Sequence, residues 1–241
     1  MKKLLLLLFP AVLNAQEVAF QYEFGYGSFQ LKDIKAIHNR VQRTMSRYGA
    51  RTVEYFPNHY IHSGAFGFIL GQHHFGASGV FLTTGSRAHV SDYSGEYKTD
   101  MVLRGIRWGL FYRYYIPNKQ QWLNVYVQAA PGFMFSRLRM SEQLFLDTRK
   151  ILDESLYFRS RGMYIEPSIG IRFKPLHWLH LSLGCGYEIN AWGKMKQTNT
   201  HSTRTTYRGD DKIRWNGFRL YAGLILTVPG HVFRENGVNY K

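Results

Sequence analysis

Apolar and polar residues alternate along most of this chain with a period of two, the spacing at which successive side chains of an extended strand face opposite sides. Eight such segments can be counted. Residues 17–29 set Val18, Phe20, Tyr22, Phe24 and Tyr26 against Ala19, Gln21, Glu23, Gly25 and Gly27. Residues 61–70 place Phe66, Phe68 and Leu70 in one row, and 75–86 oppose Val80 and Leu82 to Gly79 and Phe81 without fixing which row faces where. The segment 100–116 is clearer, with Val102, Ile106, Trp108, Leu110, Tyr112 and Tyr114 against Gly105, Arg107, Gly109, Phe111 and Arg113. Residues 122–136 set Leu123, Val125 and Val127 against Asn124, Tyr126 and Gln128. Residues 161–173 set Met163, Ile165, Ile169 and Ile171 against Tyr164, Glu166, Ser168, Gly170 and Arg172. Pro167 falls on the apolar row, where its missing N–H predicts an interrupted ladder or a bulge. In 179–191, Leu179 to Ile189 alternate with His180, Ser182, Gly184, Gly186, Glu188 and Asn190. The last segment, 213–228, opposes Phe218, Leu220, Ala222, Leu224, Leu226 and Val228 to Arg219, Tyr221 and Gly223.

The connections alternate in length. Residues 71–74, 117–121 and 174–178 are short; 30–60, 87–99, 137–160 and 192–212 are long. In the first long connection Leu31, Ile34, Ile37, Val41, Met45 and Tyr48 recur every three or four residues, so 30–48 reads as an amphipathic helix. Lys32, Lys35, Arg40, Arg43 and Arg47 occupy its other faces. The apolar stripe packs on neighbouring loops, or the helix lies on a phosphate-rich lipid surface. A second, less regular helical stretch is read near 142–156.

The chain opens with Met1-Lys2-Lys3, an apolar run from Leu4 to Leu13, and a small residue at Ala15. That run is too short to anchor in a bilayer and reads as a signal peptide over 1–15. In lipid, only helices and closed barrels satisfy the backbone. An exported chain with period-two strands and alternating short and long connections therefore reads as a closed antiparallel transmembrane β-barrel of eight strands over residues 16–228. The helix sits in its first external loop, and a periplasmic tail follows over 229–241. The compartment expected is the bacterial outer membrane. Tyr114, Tyr115, Trp122 and Trp178 near the short turns, with Trp192 and Trp215 near the long loops, suggest two interfacial girdles.

Composition sharpens this. A single cysteine, Cys185, excludes an intrachain disulfide. The formal charge is +15, or 15 − 2 = +13 once Lys2 and Lys3 are removed. In an exported chain lacking a compact basic run with aromatics, that charge points away from nucleic acid and toward anionic lipopolysaccharide or acidic glycans.

The inward rows carry Glu23, Arg107, Arg113, Glu166, Arg172, Glu188 and Arg219. An eight-stranded barrel is nearly filled by its own side chains, so these charges are expected to pair as a plug rather than line a channel. A narrow pore opened by re-pairing is the alternative. His180 and Ser182, two apart on one face with Glu188, raise the chemistry of outer-membrane lipid A deacylases. Yet they fall at the end opposite the outer leaflet and face inward, so no catalytic residue is assigned. His59, His62, His73, His74, His177 and His180 lack carboxylates or cysteines at ligand spacing and read as interfacial loop residues, with no metal or cofactor.

The strand rows, Gly25-Tyr26-Gly27 and the final Tyr221-Ala222-Gly223-Leu224-Ile225-Leu226 resemble small outer-membrane β-barrel proteins of the kind common in Bacteroidota. The resemblance implies a monomeric, mostly non-enzymatic barrel, inserted by the outer-membrane assembly machinery. Its expected role is in envelope integrity or surface interaction, and a lipid A-modifying enzyme is the other reading.

Overall fold

The structure, a computed structural model, describes residues 17–45, 51–93, 95–119, 122–146, 149–198 and 211–229. Residues 1–15 and 230–241, read above as signal peptide and tail, lie outside the described residues, as do Arg47 and Tyr48. The elements in chain order are β1 (Glu17–Gly27), α1 (Lys32–Met45), β2 (Arg51–Tyr55), β3 (His59–Leu70), β4 (His73–Asp92), β5 (Gly95–Tyr115), β6 (Leu123–Leu146), β7 (Arg149–Phe173), β8 (Leu179–Trp192), β9 (Lys196–Gln197) and β10 (Gly217–Pro229).

Eight strands form a closed antiparallel ring, β1-β3-β4-β5-β6-β7-β8-β10, with β1 pairing β10 along its whole length from Glu17↔Pro229 to Gly27↔Arg219. Closure removes every sheet edge, which is what allows strands to stand in lipid. β2 and β9 lie off the ring, pairing β4 and β7. The β10 strand begins at Gly217 rather than at 213, because residues before it turn into the lumen.

Outside, Phe20, Tyr22, Phe24, Ile106, Trp108, Leu110, Phe133, Ile165, Ile169, Leu183, Leu220 and Leu224 are exposed. Such a continuous apolar surface is tolerated only against lipid. The ambiguous strand β4 resolves with Phe81 outward and Val80 and Leu82 inward. Val18, in the outward row, is buried beside Phe68.

Two of the long connections are not loops. β4 and β5 stay paired out to Asp92↔Gly95, and β6 and β7 out to Leu146↔Arg149. Both hairpins therefore project as β-ribbons past the barrel, taking in the described residues of 87–99 and 137–160. The helical stretch expected near 142–156 is strand. Its three-and-four spacing is weak, and cross-strand partners such as Leu144↔Leu152 decide the conformation instead. Pro167 leaves a gap in the β7–β8 ladder, but the register is the same on both sides, Ile165↔Ile189 and Ser168↔Gly186, so there is no bulge. Two expected girdle residues also point inward: Tyr115 and Trp215 are buried, while Trp122, Trp178 and Trp192 are exposed.

Candidate functional site

The lumen is packed in layers. At the short-turn end Ala19, Ile69 and Ile225 close it with apolar side chains. Just inside them lie His74, Arg172 and His180, all buried. Arg172 stacks on the Tyr115 ring, 3.4 Å from its centroid, and donates to Asn124 Oδ1 at 2.9 Å. No carboxylate is ion-paired to Arg172 among the described residues, which departs from the expectation that every inward charge meets an opposite one. Aromatic stacking and an amide take that place.

Arg113 comes next, with Glu23 at 3.7 Å, Gln128 Oε1 at 2.8 Å and the Tyr126 ring beneath its guanidinium. Gln21 donates to Glu23. Tyr126 lies flat across Gly170 and Gly184, whose missing side chains make its room; a Cβ at either would strike its hydroxyl.

The central layer is the densest. Arg107 donates to Glu166, to Glu188 Oε2 at 2.7 Å and to the Tyr221 hydroxyl at 3.0 Å, and Tyr221 donates on to Glu166 at 3.0 Å. Arg219 reaches the same Glu188 oxygen at 3.2 Å and donates to the carbonyls of Trp215 and Ser28, each at 2.6 Å. Asn190 occupies the other Glu188 oxygen at 2.6 Å. Two carboxylates and two arginines thus share one desolvated network fed from four strands. Charges buried this deeply are tolerated only when paired; the Nε atoms of Arg107 and Arg219 are left without a hydrogen-bond partner among the described residues.

Above the charges sits the main apolar core, built from Leu82, Met101, Leu103, Leu138, Phe158 and Trp215 of the barrel and its connections, with Ile34 and Ile37 from α1 and Leu31 just before it. The helix is therefore a cap on the external mouth, with its apolar stripe pointing down the lumen. Leu31 enters it at φ 42°, a left-handed backbone that costs energy for a side chain of this kind, and its own burial holds it there. Asp33 accepts the Lys212 backbone N–H at 2.9 Å, tying the helix to the stretch before β10. Trp215 donates from its ring nitrogen to Ser136 at 2.8 Å and packs edge-on against Phe29.

The basic residues of α1 divide. Lys35 turns inward, donating to the Phe29 carbonyl at 3.0 Å, and burial lowers its pKa. Lys32, Arg40 and Arg43 are exposed. His38 lies on the buried face of the helix, bonded to Ser86 at 2.9 Å, and burial holds its pKa below the ordinary 6.5. A histidine depressed in the docked state binds fewer protons there than when released. Docking is therefore fully supported above that ordinary value and weakens as pH falls through it. Limited proteolysis of 32–45 should accelerate between pH 7 and about 5, and a H38Q variant should lose that pH dependence. Equal cleavage across this range in the unsubstituted chain would refute the coupling.

The histidines separate by face. His62 and His73 lie outside, bonded to Tyr22 and Tyr112 hydroxyls at 2.8 Å each. His74 and His180 are luminal rather than interfacial. Among the described residues no three metal-ligating side chains come together. His180 and Ser182 are buried at the short-turn end, far along β8 from Glu188 near the other end. Cys185 is exposed on the outer face.

No family model and no curated protein matches this chain. Solved structures do. It is similar to Ail, the attachment invasion locus protein of Yersinia pestis, at 10% identity, 89% of this chain, 99% of that one and TM-score 0.35. It is similar to Neisserial surface protein A at 10% identity, 88% and 97% coverage and TM-score 0.40. It is also similar to the outer membrane protease OmpT from Escherichia coli at 10% identity, 88% and 96% coverage and TM-score 0.41. With its closed ring, charges buried within and apolar side chains outside, this chain has the fold of a transmembrane β-barrel.

Proposed function

We propose that the protein is a non-enzymatic, non-conducting outer-membrane barrel acting in envelope integrity or surface interaction, and that it belongs with the small monomeric barrels of Bacteroidota delivered by a cleaved signal peptide and the barrel-assembly machinery. The observation that carries this reading is the filled lumen. A chain of four buried charges, Glu166–Arg107–Glu188–Arg219, is sandwiched between an apolar floor and an apolar core capped by α1. Opening a path for ions would require breaking buried pairs, at several kcal/mol for each partner stranded.

A lipid A-modifying enzyme would need a nucleophile or base beside the outer leaflet. The His180–Ser182 pair faces the lumen at the other end, which supports the non-enzymatic reading. Reconstitution of the full chain in planar bilayers tests the proposal. The expected result is no steady conductance at moderate voltage; a reproducible unitary current would replace the plug with a narrow pore.

A further inference from the structure

The outward face of the β5–β6–β7–β9 sheet carries a row of like charges in strict register. Arg104 lies directly opposite Arg137, Arg137 opposite Arg159, and Arg159 opposite Lys196. All four side chains are exposed. Arg139 and Arg161 flank the row two residues away on the same face. Directly opposed residues stand about 5 Å apart at Cβ, where like charges destabilise a sheet. No acid is ion-paired to the four residues of the row among the described residues: Asp100 is engaged by Arg87 and Lys98, and Asp153, engaged by Lys150, lends its charge to the flanking Arg139.

Position says what does answer them. Along the same outward rows toward the short turns, Arg104 is followed by Ile106, Trp108 and Leu110; Arg137 is preceded by Phe135 and Phe133; Arg161 is followed by Met163 and Ile165. From Ile106 to the end of β5 is about ten residues, the length a tilted strand needs to cross the hydrocarbon. The row therefore stands where the apolar belt ends, at headgroup height on the long-loop side. Trp192, exposed beside the Lys196 end, marks the same level. A groove runs on each side of Arg159, one walled by Arg137 and Tyr157, the other by Arg161 and Trp192.

We infer that this row is a binding site for the phosphates of an outer-leaflet glycolipid, whose acyl chains lie on the apolar belt below. Arginine forks suit phosphate oxygens, and a partly desolvated interface strengthens each contact. The lipid contact expected on the α1 cations is thus better served by the barrel wall, since the helix caps the mouth. The inference does not depend on whether the lumen conducts.

The test uses the full chain in detergent micelles, with three probes: lipid A bearing both phosphates, lipid A stripped of them, and inorganic pyrophosphate. The expected result is a rise in unfolding temperature with the first probe only, and about tenfold or greater weakening of its binding in R137Q/R159Q. That variant should unfold at or above the unsubstituted temperature without lipid, because repulsion has been relieved; K32Q on the helix should bind as before. An equal response to pyrophosphate would overturn the lipid assignment. Unchanged binding by R137Q/R159Q, loss in K32Q, or a lower lipid-free unfolding temperature for the double variant would each overturn the row as the site.

Discussion

Glu188→Ala is expected to destabilise the barrel by about 3–5 kcal/mol, the penalty for stranding buried charge. Glu188 is fully buried and its Oε2 is shared by Arg107 and Arg219. Arg107 keeps Glu166 after the substitution. Arg219 keeps only carbonyl acceptors and its stack on Phe29. Glu188→Gln should cost less, since the amide oxygen can still accept from Asn190. Urea unfolding in detergent or lipid vesicles, followed by tryptophan fluorescence, separates the two. Equal stability of Glu188→Ala and the unsubstituted chain would show that the network is dispensable and the lumen wetter than its packing indicates. Replacing Glu166 in the same way should cost less, because Arg107 would retain Glu188.

The second large effect belongs to Trp215→Ala. Its indole is fully buried, bonded to Ser136, and packed edge-on against Phe29 at 5.0 Å between ring centres. Removal leaves a cavity in the apolar core and an unpartnered Ser136 hydroxyl, together worth about 3–5 kcal/mol. The loss should be felt at a distance. Trp215 and the α1 residues Ile34 and Ile37 share one core, so helix 32–45 should become more susceptible to protease while the strand pairing survives. Hydrogen exchange resolves the two regions. Uniform loss of protection across strands and helix would mean that cap and barrel unfold as one unit.

The strand rows were legible because lipid outside and side chains inside impose a strict alternation on β1, β5, β8 and β10, whose outward and inward sets can be read directly from the sequence. The ribbons were not. Beyond the membrane both faces of a hairpin meet water or other loops, so Ser141 to Leu146 and Arg149 to Tyr157 have no apolar row to announce them, and only their partners fix them as strands. Parity also fails where the chain leaves the sheet. Trp215 precedes β10, so its placement next to a long loop said nothing about its facing. The luminal charges could be assigned to the inward rows, but their partners depend on stagger between strands; nothing in the sequence marks Arg172 as the one held by Tyr115 and Asn124. The basic row is a further case. Arg137, Arg139, Arg159 and Arg161 alternate visibly, yet only the β6–β7 register turns them from loop charges into a ladder.

The seam where the ring closes carries a consequence for assembly. β1 and β10 are the first and last strands among the described residues, so their pairing is the ring contact most distant in sequence and carries the largest loop-closure entropy. Arg219, from β10, reaches across that seam to the Ser28 carbonyl and the Phe29 ring just past β1, while also holding Glu188. The guanidinium therefore acts as a clasp that engages only after the two ends have met. An inserting intermediate with the seam open has an unfinished interior as well as an unpaired edge. Zipping the wall and finishing the lumen are then coupled, and the barrel cannot part at this seam without giving up the Arg219 contacts to the Ser28 carbonyl and the Phe29 ring.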